Sequence, residues 1–499
     1  MEFQKALELF KKNNETMGAY GHAMGVMYYD MDTVAPKNAF KGFGKTIGIL
    51  SEIQYRLSVN DENFEIIDTL MAHKDELDFI TRREVEEAAH DLDMMRKIPI
   101  EEYTAYRVLL TEAREKWLEA KATNNYELFE PVLAQIVDYN RRIAGYIDPS
   151  VSPYDFWLNE FERGASVKML DEYFAKVKDA LVPLIHSIKE KGDVIDTSFA
   201  ELSYPLEGQR KFSDYLMKVL TINKDDCSIG ETEHPFTTHF NKHDVRITTH
   251  YHDSVTNNMY SVIHEGGHAL YELNTGDDII GSPLASGAST GIHESQSRLY
   301  ENIIGRSEEF IELIFPKLKE LFPEQLKDVS AHMFYLAVNK AQPSLIRIEA
   351  DELTYSMHVL IRYELEKRLM DGSLSTKELP AEWNRLYKEY LGVDVPDDTH
   401  GCLQDSHWSS GTLGYFPSYS LGSAYGAQIV AHMKKELDIA ALVKENKIGV
   451  IVEWLTEKIY KYGMLLRPDE LIKNCCGEEF NPQYYVDYLT EKFKKIYNL

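Results

Sequence analysis

Hydrophobic residues recur every three or four positions along most of the chain, which is the spacing of amphipathic α-helices. Residues 100–110 and 168–178 show this period clearly. Residues 1–10 form a charged amphipathic pattern, and no apolar core of a signal peptide follows them. Alternation of β-branched or aromatic residues with polar ones is rarer, and residues 245–251 are its best example. The pattern therefore predicts a mainly α-helical fold with a small β-sheet.

The composition limits domain organisation and partners. No proline- or serine-rich linker, low-complexity tract or repeat divides the 499 residues, so we expect one domain over residues 1–499 with a deep groove. A formal net charge of −27 argues against nucleic acid as a partner. No run approaches the roughly 18 apolar residues of a membrane span. The four cysteines are too few to cross-link so long a chain, which suggests a reducing cytoplasm.

The strongest chemical signal is residues 264–268, which read H-E-G-G-H and match the H-E-x-x-H signature of zinc metallopeptidases. On a helix His264 and His268 lie one turn apart on one face, where both can ligate one Zn²⁺. Glu265 lies beside them as a candidate general base for a zinc-activated water. Residues 257–273 contain no helix breaker except two glycines. These glycines indicate close approach to the backbone, by a substrate chain or by tight helix packing.

A catalytic zinc site needs a third protein ligand. The metzincin pattern is excluded because Tyr271 and Asn274 stand where a glycine and a histidine are required. Glu294 is the better candidate, because a second predicted helix begins near it and could face the first. Thermolysin-like enzymes carry an aspartate four residues after this glutamate, but Arg298 occupies that position here. The group that orients the histidines must therefore come from elsewhere.

Two competing interpretations carry less weight. Residues 287–291 fit G-x-S-x-G, the nucleophile elbow of serine hydrolases around Ser289. That elbow must follow a buried strand, whereas residues 282–286 contain a proline and are poor strand formers, so a loop between the two ligand helices is favoured. A histidine cluster could indicate a second metal, but its spacing matches no familiar ligand set. Its members are His234, His239, His243, His250 and His252.

Several separated blocks resemble the M32 metallocarboxypeptidases, the thermostable-carboxypeptidase type of bacteria and archaea. In order, they are residues 234–236 (H-P-F), 244–248 (D-V-R-I-T), 264–268, 293–296 (H-E-S-Q), 346–351 (I-R-I-E-A-D), 401–408 (G-C-L-Q-D-S-H-W) and 414–422. The resemblance implies a neurolysin-like helical body with a small sheet beside the zinc helix, and a homodimer. It places the zinc site and substrate motifs within residues 202–422, with helices of about residues 1–200 covering the groove.

Residues outside the zinc motif are candidates for substrate contacts. Arg347 lies in an apolar run, so a partner is required, either structural, such as Asp351, or the terminal carboxylate of a substrate. Arg246 is the reserve candidate for that carboxylate. If the strand at residues 245–251 lies at a sheet edge, it can bind an extended peptide by strand addition. By resemblance to more distant helical zinc peptidases, His407 and Tyr419 are expected to stabilise the oxyanion, with Tyr415 as a rival.

The expected function is therefore a cytoplasmic zinc metallocarboxypeptidase that releases single C-terminal amino acids. Its substrates are peptides with a free C-terminal carboxylate, and its cofactor is one Zn²⁺ per chain, with Co²⁺ or Mn²⁺ as alternatives. A helical oligopeptidase or dipeptidyl carboxypeptidase would share the zinc site but cut elsewhere. A non-catalytic peptide-binding protein is the other alternative, and Glu265 argues against it because a structural site has no use for a base.

Overall fold

The structure, a computed structural model, describes residues 1–499 and is mainly α-helical, as predicted. The α-helices are α1 (Phe3–Thr33), α2 (Phe40–Ser58), α3 (Asp61–Ala72), α4 (Phe79–Lys97), α5 (Ile100–Thr123), α6 (Glu130–Ile147), α7 (Pro153–Phe161), α8 (Val167–Lys191), α9 (Leu206–Val219), α10 (Val255–Leu273), α11 (Thr290–Arg298), α12 (Glu308–Leu321), α13 (Ala331–Val338), α14 (Tyr355–Asp371), α15 (Leu379–Leu391), α16 (Phe416–Met433), α17 (Ile439–Lys444), α18 (Ile448–Lys458), α19 (Pro468–Cys476) and α20 (Gln483–Tyr497). None of them combines the length and apolar character needed to cross a bilayer.

The helices predicted from periodicity are confirmed. Residues 1–10 enter α1, residues 100–110 lie in α5, and residues 168–178 lie in α8. The H-E-x-x-H segment lies in α10, and Glu294 lies in α11, which continues as a π-helical segment over Leu299–Ile304.

The only sheet has three strands, β1 (Cys227–Glu231), β2 (Thr237–Asn241) and β3 (Asp244–Thr249), in the order β1-β3-β2. Strand β3 is parallel to β1 and antiparallel to β2. The strand predicted at residues 245–251 therefore exists over Asp244–Thr249, but it is the central strand, so the edge position that strand addition requires is not met. Both sides of β3 are already hydrogen-bonded, and Val245, Ile247, Thr248 and Thr249 are buried. Strand addition would have to use β1 or β2.

The chain forms two compact units. The first contains residues 1–96, 203–288 and 446–466. One of its apolar clusters joins α1, α3 and α4 through Phe10, Leu70 and Val85. Helix α10 packs against α9 and the sheet in the same unit, and most of its side chains are buried, so the histidine motif is carried on a well-supported helix.

The second unit contains residues 97–202, 289–445 and 467–499. Its most enclosed helix is α16, which packs against α11, α14 and α20. Two glycines let α11 approach closely: a Cβ on Gly422 would lie 2.8 Å from the Cβ of Glu294, and one on Gly426 would lie 3.0 Å from the backbone oxygen of Ser295. Side chains at these two positions would push α11 away from α16.

Candidate active site

Helix α10 exposes one face of the H-E-x-x-H motif and buries the rest. His264 and His268 are partly exposed, and their rings lie 4.9 Å apart between centroids. Glu265 is only 6% exposed, and its Oε2 accepts a hydrogen bond of 2.6 Å from the hydroxyl of Thr237. A Cβ on Gly266 would lie 2.8 Å from a methyl group of Leu220. Of the two explanations for the motif's glycines, Gly266 therefore reflects tight packing.

Helix α11 supports the carboxylate of Glu294 with an arginine from its own last turn. Arg298 Nε donates to Oε1 at 2.7 Å. Ser297 Oγ lies 3.1 Å from Oε2, but its single hydrogen is better placed for the backbone oxygen of Glu294 at 2.8 Å. The other end of the Arg298 guanidinium contacts Glu301 at 3.3 Å, and the group stacks on the ring of Tyr355. Arg298 therefore orients the proposed carboxylate ligand, whereas the aspartate of thermolysin-like enzymes would orient a histidine ligand.

His264, His268 and Glu294 form the one group of metal-ligating side chains in the protein. Each offers one ligand atom, and all of these atoms lie within 4.8 Å of one another. Two imidazoles and one carboxylate match the three-ligand set of catalytic zinc sites, which leave further positions open. The donor set therefore fits a divalent metal.

The histidine cluster near the sheet forms no second metal site. His239 Nδ1 lies 3.5 Å from buried Glu272, and His243 Nδ1 lies 3.0 Å from Asp226. His250 is bonded to the carbonyl of Thr232 and stacks on His252.

The serine of the competing G-x-S-x-G motif serves as a helix cap. Ser289 Oγ accepts the backbone N–H of Ile292 at 3.0 Å and donates to Glu162 at 2.8 Å. The other oxygen of Glu162 accepts the backbone N–H of Gly291 at 2.8 Å, and Tyr425 donates to the same carboxylate. No strand leads directly into Ser289, because α10 and a short 3₁₀ turn separate it from β3, so the nucleophile elbow is absent. Burial raises the pKa of Glu162 to about 7, against the lowering effect of these donors.

Arg347 belongs to a buried ionic cluster that sequence reasoning missed. Its Nε and Nη2 donate to Asp405 Oδ1 at 3.1 and 2.9 Å, while Arg362 Nε donates to Asp405 Oδ2 at 2.7 Å. The prediction that Asp351 is the structural partner of Arg347 is wrong. Asp351 instead accepts hydrogen bonds from the backbone N–H groups of residues 342, 353 and 354. Burial raises the pKa of Asp405, but Arg362 and Arg347 outweigh burial and hold that pKa well below its usual range.

His407 and Tyr419 lie together next to this cluster. His407 Nε2 lies 3.3 Å from the hydroxyl of Tyr419, and the guanidinium of Arg347 stacks over the Tyr419 ring at 5.2 Å. Burial lowers the pKa of His407 to about 4, although Asp405 acts in the opposite direction, so the ring is neutral at pH 7. Tyr415 packs edge-on against Tyr419 and is hydrogen-bonded to it.

Arg246 is engaged in the first unit. Both its Nε and Nη2 donate to Asp244 at 2.8 Å, and its guanidinium lies over the rings of Tyr29 and Phe240. These contacting residues lie on α1, β2 and β3. They stabilise the positive charge of Arg246 in the absence of a bound ligand.

Four residues around the candidate site received no role from sequence reasoning: Thr237, Arg298, Arg362 and Asp405. A local signal existed for Arg298, because glutamate and arginine four positions apart on a helix commonly pair. Asp405 lies in a block that carries the family resemblance, but its partner Arg347 is 58 residues away. Thr237 lies 28 residues from Glu265, and no local pattern links them.

Comparison with known proteins agrees with the site. The model of the Carboxypeptidase Taq (M32) metallopeptidase family matches residues 9–493. The chain is 40% identical to Carboxypeptidase 1 of Bacillus subtilis over 482 residues, covering 96% of both chains. It is 34% identical to Thermostable carboxypeptidase 1 of Pyrococcus furiosus over 485 residues, covering 95% of this chain and 96% of the relative.

Solved structures agree in fold. The crystal structure of an M32 carboxypeptidase from Deinococcus radiodurans matches with a TM-score of 0.95 and 30% identity, covering 99% of this chain and all of that one. A structure of the Pyrococcus furiosus carboxypeptidase matches with a TM-score of 0.93 and 33% identity, covering 98% of each chain. With the H-E-x-x-H helix and the histidine–glutamate cluster, these matches show that the chain is a peptidase and belongs to the Carboxypeptidase Taq (M32) metallopeptidase family.

Proposed function

We propose that the protein is a zinc carboxypeptidase that releases single amino acids from the C-terminus of peptides, with the residue roles given below. The observation that carries the proposal is the cluster of His264, His268 and Glu294 with Glu265 next to the first ligand. We assign the three clustered residues to one divalent metal per chain. A neutral-nitrogen and carboxylate set without thiolate suits Zn²⁺ and also admits Co²⁺ or Mn²⁺.

A bound metal of this kind would act as a Lewis acid and make water a better nucleophile at neutral pH. Glu265 is the proposed general base: its carboxylate accepts a proton from the attacking water and then donates it to the leaving amine. Thr237 donates to one oxygen of this carboxylate, and the surrounding helix is buried. A carboxylate held in one orientation is suited to accept a proton and to donate it again at one defined position.

His407 and Tyr419 are the proposed donors to the oxyanion that develops when the peptide carbonyl becomes tetrahedral. Their side chains are adjacent, and both are partly buried. A neutral imidazole donates from one nitrogen only, and the tyrosine hydroxyl donates one hydrogen. Because both donors are held by the surrounding side chains, little reorganisation is needed as the charge forms.

Arg347 is the proposed partner of the substrate's terminal carboxylate. The cluster contains two arginines and a single aspartate, which leaves one buried positive charge in excess. A buried cation is stabilised by an anionic ligand. Asp405 already uses the Nε and Nη2 of Arg347, and Nη1 donates to Tyr355, so a substrate carboxylate would use the remaining hydrogens. Arg246 stays the reserve candidate.

Three further features complete the proposal. The two units act as one catalytic domain, because the family model extends across both of them. The enzyme works in the cytoplasm, since four cysteines in 499 residues suit a reducing compartment. It assembles as a homodimer, which rests on the family resemblance alone.

The metal and the base are tested by elemental analysis and single substitutions. We expect one metal ion per chain, and loss of metal together with activity in Glu294→Ala. Glu265→Gln should retain the metal and the fold, while turnover falls by roughly 10²- to 10⁴-fold. Full activity in chelator with no metal detected, or near-normal turnover in Glu265→Gln, would contradict the proposal.

The exopeptidase assignment is tested with one peptide in three forms: unmodified, C-terminally amidated and N-terminally acetylated. Amidation removes the charge that Arg347 would bind, so kcat/KM should fall by well over tenfold, whereas acetylation should have little effect. Arg347→Ala should lose activity on the free peptide and narrow the gap to the amide. Equal cleavage of free and amidated peptides would indicate an endopeptidase. Discrimination that survives Arg347→Ala but disappears in Arg246→Ala would move the role to Arg246.

A further inference from the structure

Strand β2 contributes a hydroxyl group to the candidate base. Thr237 Oγ1 lies 2.6 Å from Glu265 Oε2 and 3.1 Å from the backbone oxygen of Glu265. We propose that Thr237 is a positioning residue for Glu265, which holds the carboxylate in the orientation that proton transfer requires. The inference rests on the proposed role of Glu265 as general base.

The two distances indicate which bond Thr237 makes. A hydroxyl group has one hydrogen to donate. The 2.6 Å contact with the carboxylate lies in the range of charge-assisted O–H···O⁻ bonds, while 3.1 Å is long for a hydroxyl donor. The hydroxyl group of Thr237 therefore donates its hydrogen to the side-chain carboxylate of Glu265. A carboxylate can rotate about its last carbon–carbon bond, and this contact opposes that rotation.

The position of the hydroxyl is itself well determined. Thr237 pairs with Ile247 of the central strand β3, so its backbone is held in the sheet. Threonine is branched at Cβ, and few side-chain rotamers are open to it in a strand. Helix α10 packs against both β2 and β3. The donor and the acceptor thus lie on two elements in direct contact, and both ends of the bond are restrained.

The next residue of the strand is a natural control. Thr238 has the same side chain and a similar partial exposure, but it pairs with Arg246. Side chains of successive strand residues point to opposite faces of a sheet. Substitution of Thr238 therefore tests the effect of losing a threonine from β2 without removing the contact with Glu265.

The test compares Thr237→Val, Thr237→Ser and Thr238→Val by metal content, melting temperature, kcat and KM on a free peptide. Valine has nearly the shape of threonine but lacks the hydroxyl, whereas serine retains it. We expect Thr237→Val to keep one metal per chain and its KM, while kcat falls by roughly 10- to 100-fold. Thr237→Ser should recover most of that loss, and Thr238→Val should resemble the wild type.

A double-mutant cycle with Glu265→Gln separates positioning from a general structural effect. If Thr237 acts through Glu265, adding Thr237→Val to Glu265→Gln should change kcat by less than about threefold. Equal effects of Thr237→Val in both backgrounds would overturn the inference, as would unchanged kcat or loss of metal in Thr237→Val. Failure of the proposed function is distinguishable, because Glu265→Gln itself would then remain active.

Discussion

The two helices that carry the proposed ligands are supported by different interactions. Helix α10 presents two histidines and is held by apolar packing: leucine and isoleucine methyl groups contact Gly266, and the sheet supports its buried face. Helix α11 presents a glutamate, and polar groups support it in addition to its close packing on α16. Buried Glu162 binds its N-terminus, and Arg298 binds the Glu294 carboxylate from the last turn.

The difference follows from the charge of the ligands. His264 and His268 are partly exposed, and an imidazole in such a setting has little electrostatic cost when no metal is bound. A carboxylate that is 7% exposed needs a cation or several donors even when no metal is bound. We conclude that the proposed carboxylate ligand requires its own electrostatic support, whereas the proposed histidine ligands require correct spacing and packing. The following experiments test that contrast.

Removal of single ligands should have the largest effect. His268→Ala and Glu294→Ala are both expected to lose the metal and nearly all turnover. In chelator, Glu294→Ala should also be less stable than His268→Ala by about 2 kcal/mol, because the Nε of Arg298 loses its anionic partner while Glu301 retains the other end. Urea unfolding of the metal-free variants measures the difference. Equal stabilities would mean that Arg298 is not needed to balance Glu294.

The pH dependence of stability tests the carboxylate at the start of α11. The pKa of Glu162 is raised in the folded protein from 4.5 to about 7. Its contribution to stability is therefore full below pH 4.5 and falls as the pH rises towards 7, since the unfolded chain releases the proton first. The free energy of unfolding of the wild type minus that of Glu162→Gln should fall by about 2 to 3 kcal/mol from pH 5 to pH 8. Urea unfolding at both pH values provides the measurement.

Glu207 provides the control for this experiment. It is exposed, and a hydrogen bond with Lys211 lowers its pKa. Glu207→Gln should therefore not show the loss between pH 5 and pH 8. If the difference in free energy of unfolding between the wild type and Glu162→Gln is the same at pH 5 and pH 8, the pKa of Glu162 is not raised.

Loss of support without loss of a ligand should have an intermediate effect. Arg298→Met keeps a long side chain but removes the guanidinium that binds Glu294, so the affinity for Zn²⁺ should fall by roughly 10- to 100-fold. Ile222→Ala removes apolar contact near α10, and it should lower stability while affinity changes by less than about threefold. Competition with a chromophoric chelator measures both affinities. A larger loss of affinity in Ile222→Ala than in Arg298→Met would reverse the comparison.

Two glycine-to-alanine substitutions should give the smallest contrast between the two helices. The new methyl group at Gly266 would meet the ends of Leu220 and Ile222, which can shift, and alanine favours the helix by roughly 1 kcal/mol. At Gly422 it would meet the Cβ and Cγ of Glu294 and the backbone oxygen of Gly291, which cannot move without moving α11. Gly422→Ala should weaken Zn²⁺ binding by about tenfold, and Gly266→Ala by much less. The same chelator competition distinguishes them.

Most of the proposed metal ligands could be predicted from local sequence patterns. Two histidines four residues apart with an adjacent glutamate, in a segment of helical period, predict one ligand face, and α10 has that form. The approach of Glu294 was predicted from the start of a second helix, and the cluster of the three side chains agrees with it. The helix and the shared face of its two histidines could be predicted because helix geometry depends on neighbours three and four positions away.

The contacts that support the site could not be predicted from local patterns, because they join residues far apart in the sequence. Glu162 binds Gly291 across 129 residues, Arg347 binds Asp405 across 58, and Thr237 binds Glu265 across 28. The strand at residues 245–251 was recognised by its alternation, yet its central place in the sheet depends on two partner strands. Local sequence thus specified which residues could ligate a metal and on which helices they lie. The orientation and charge balance of those residues came from folding, because hydrogen bonds and ion pairs between distant segments form only when packing brings their donors and acceptors together.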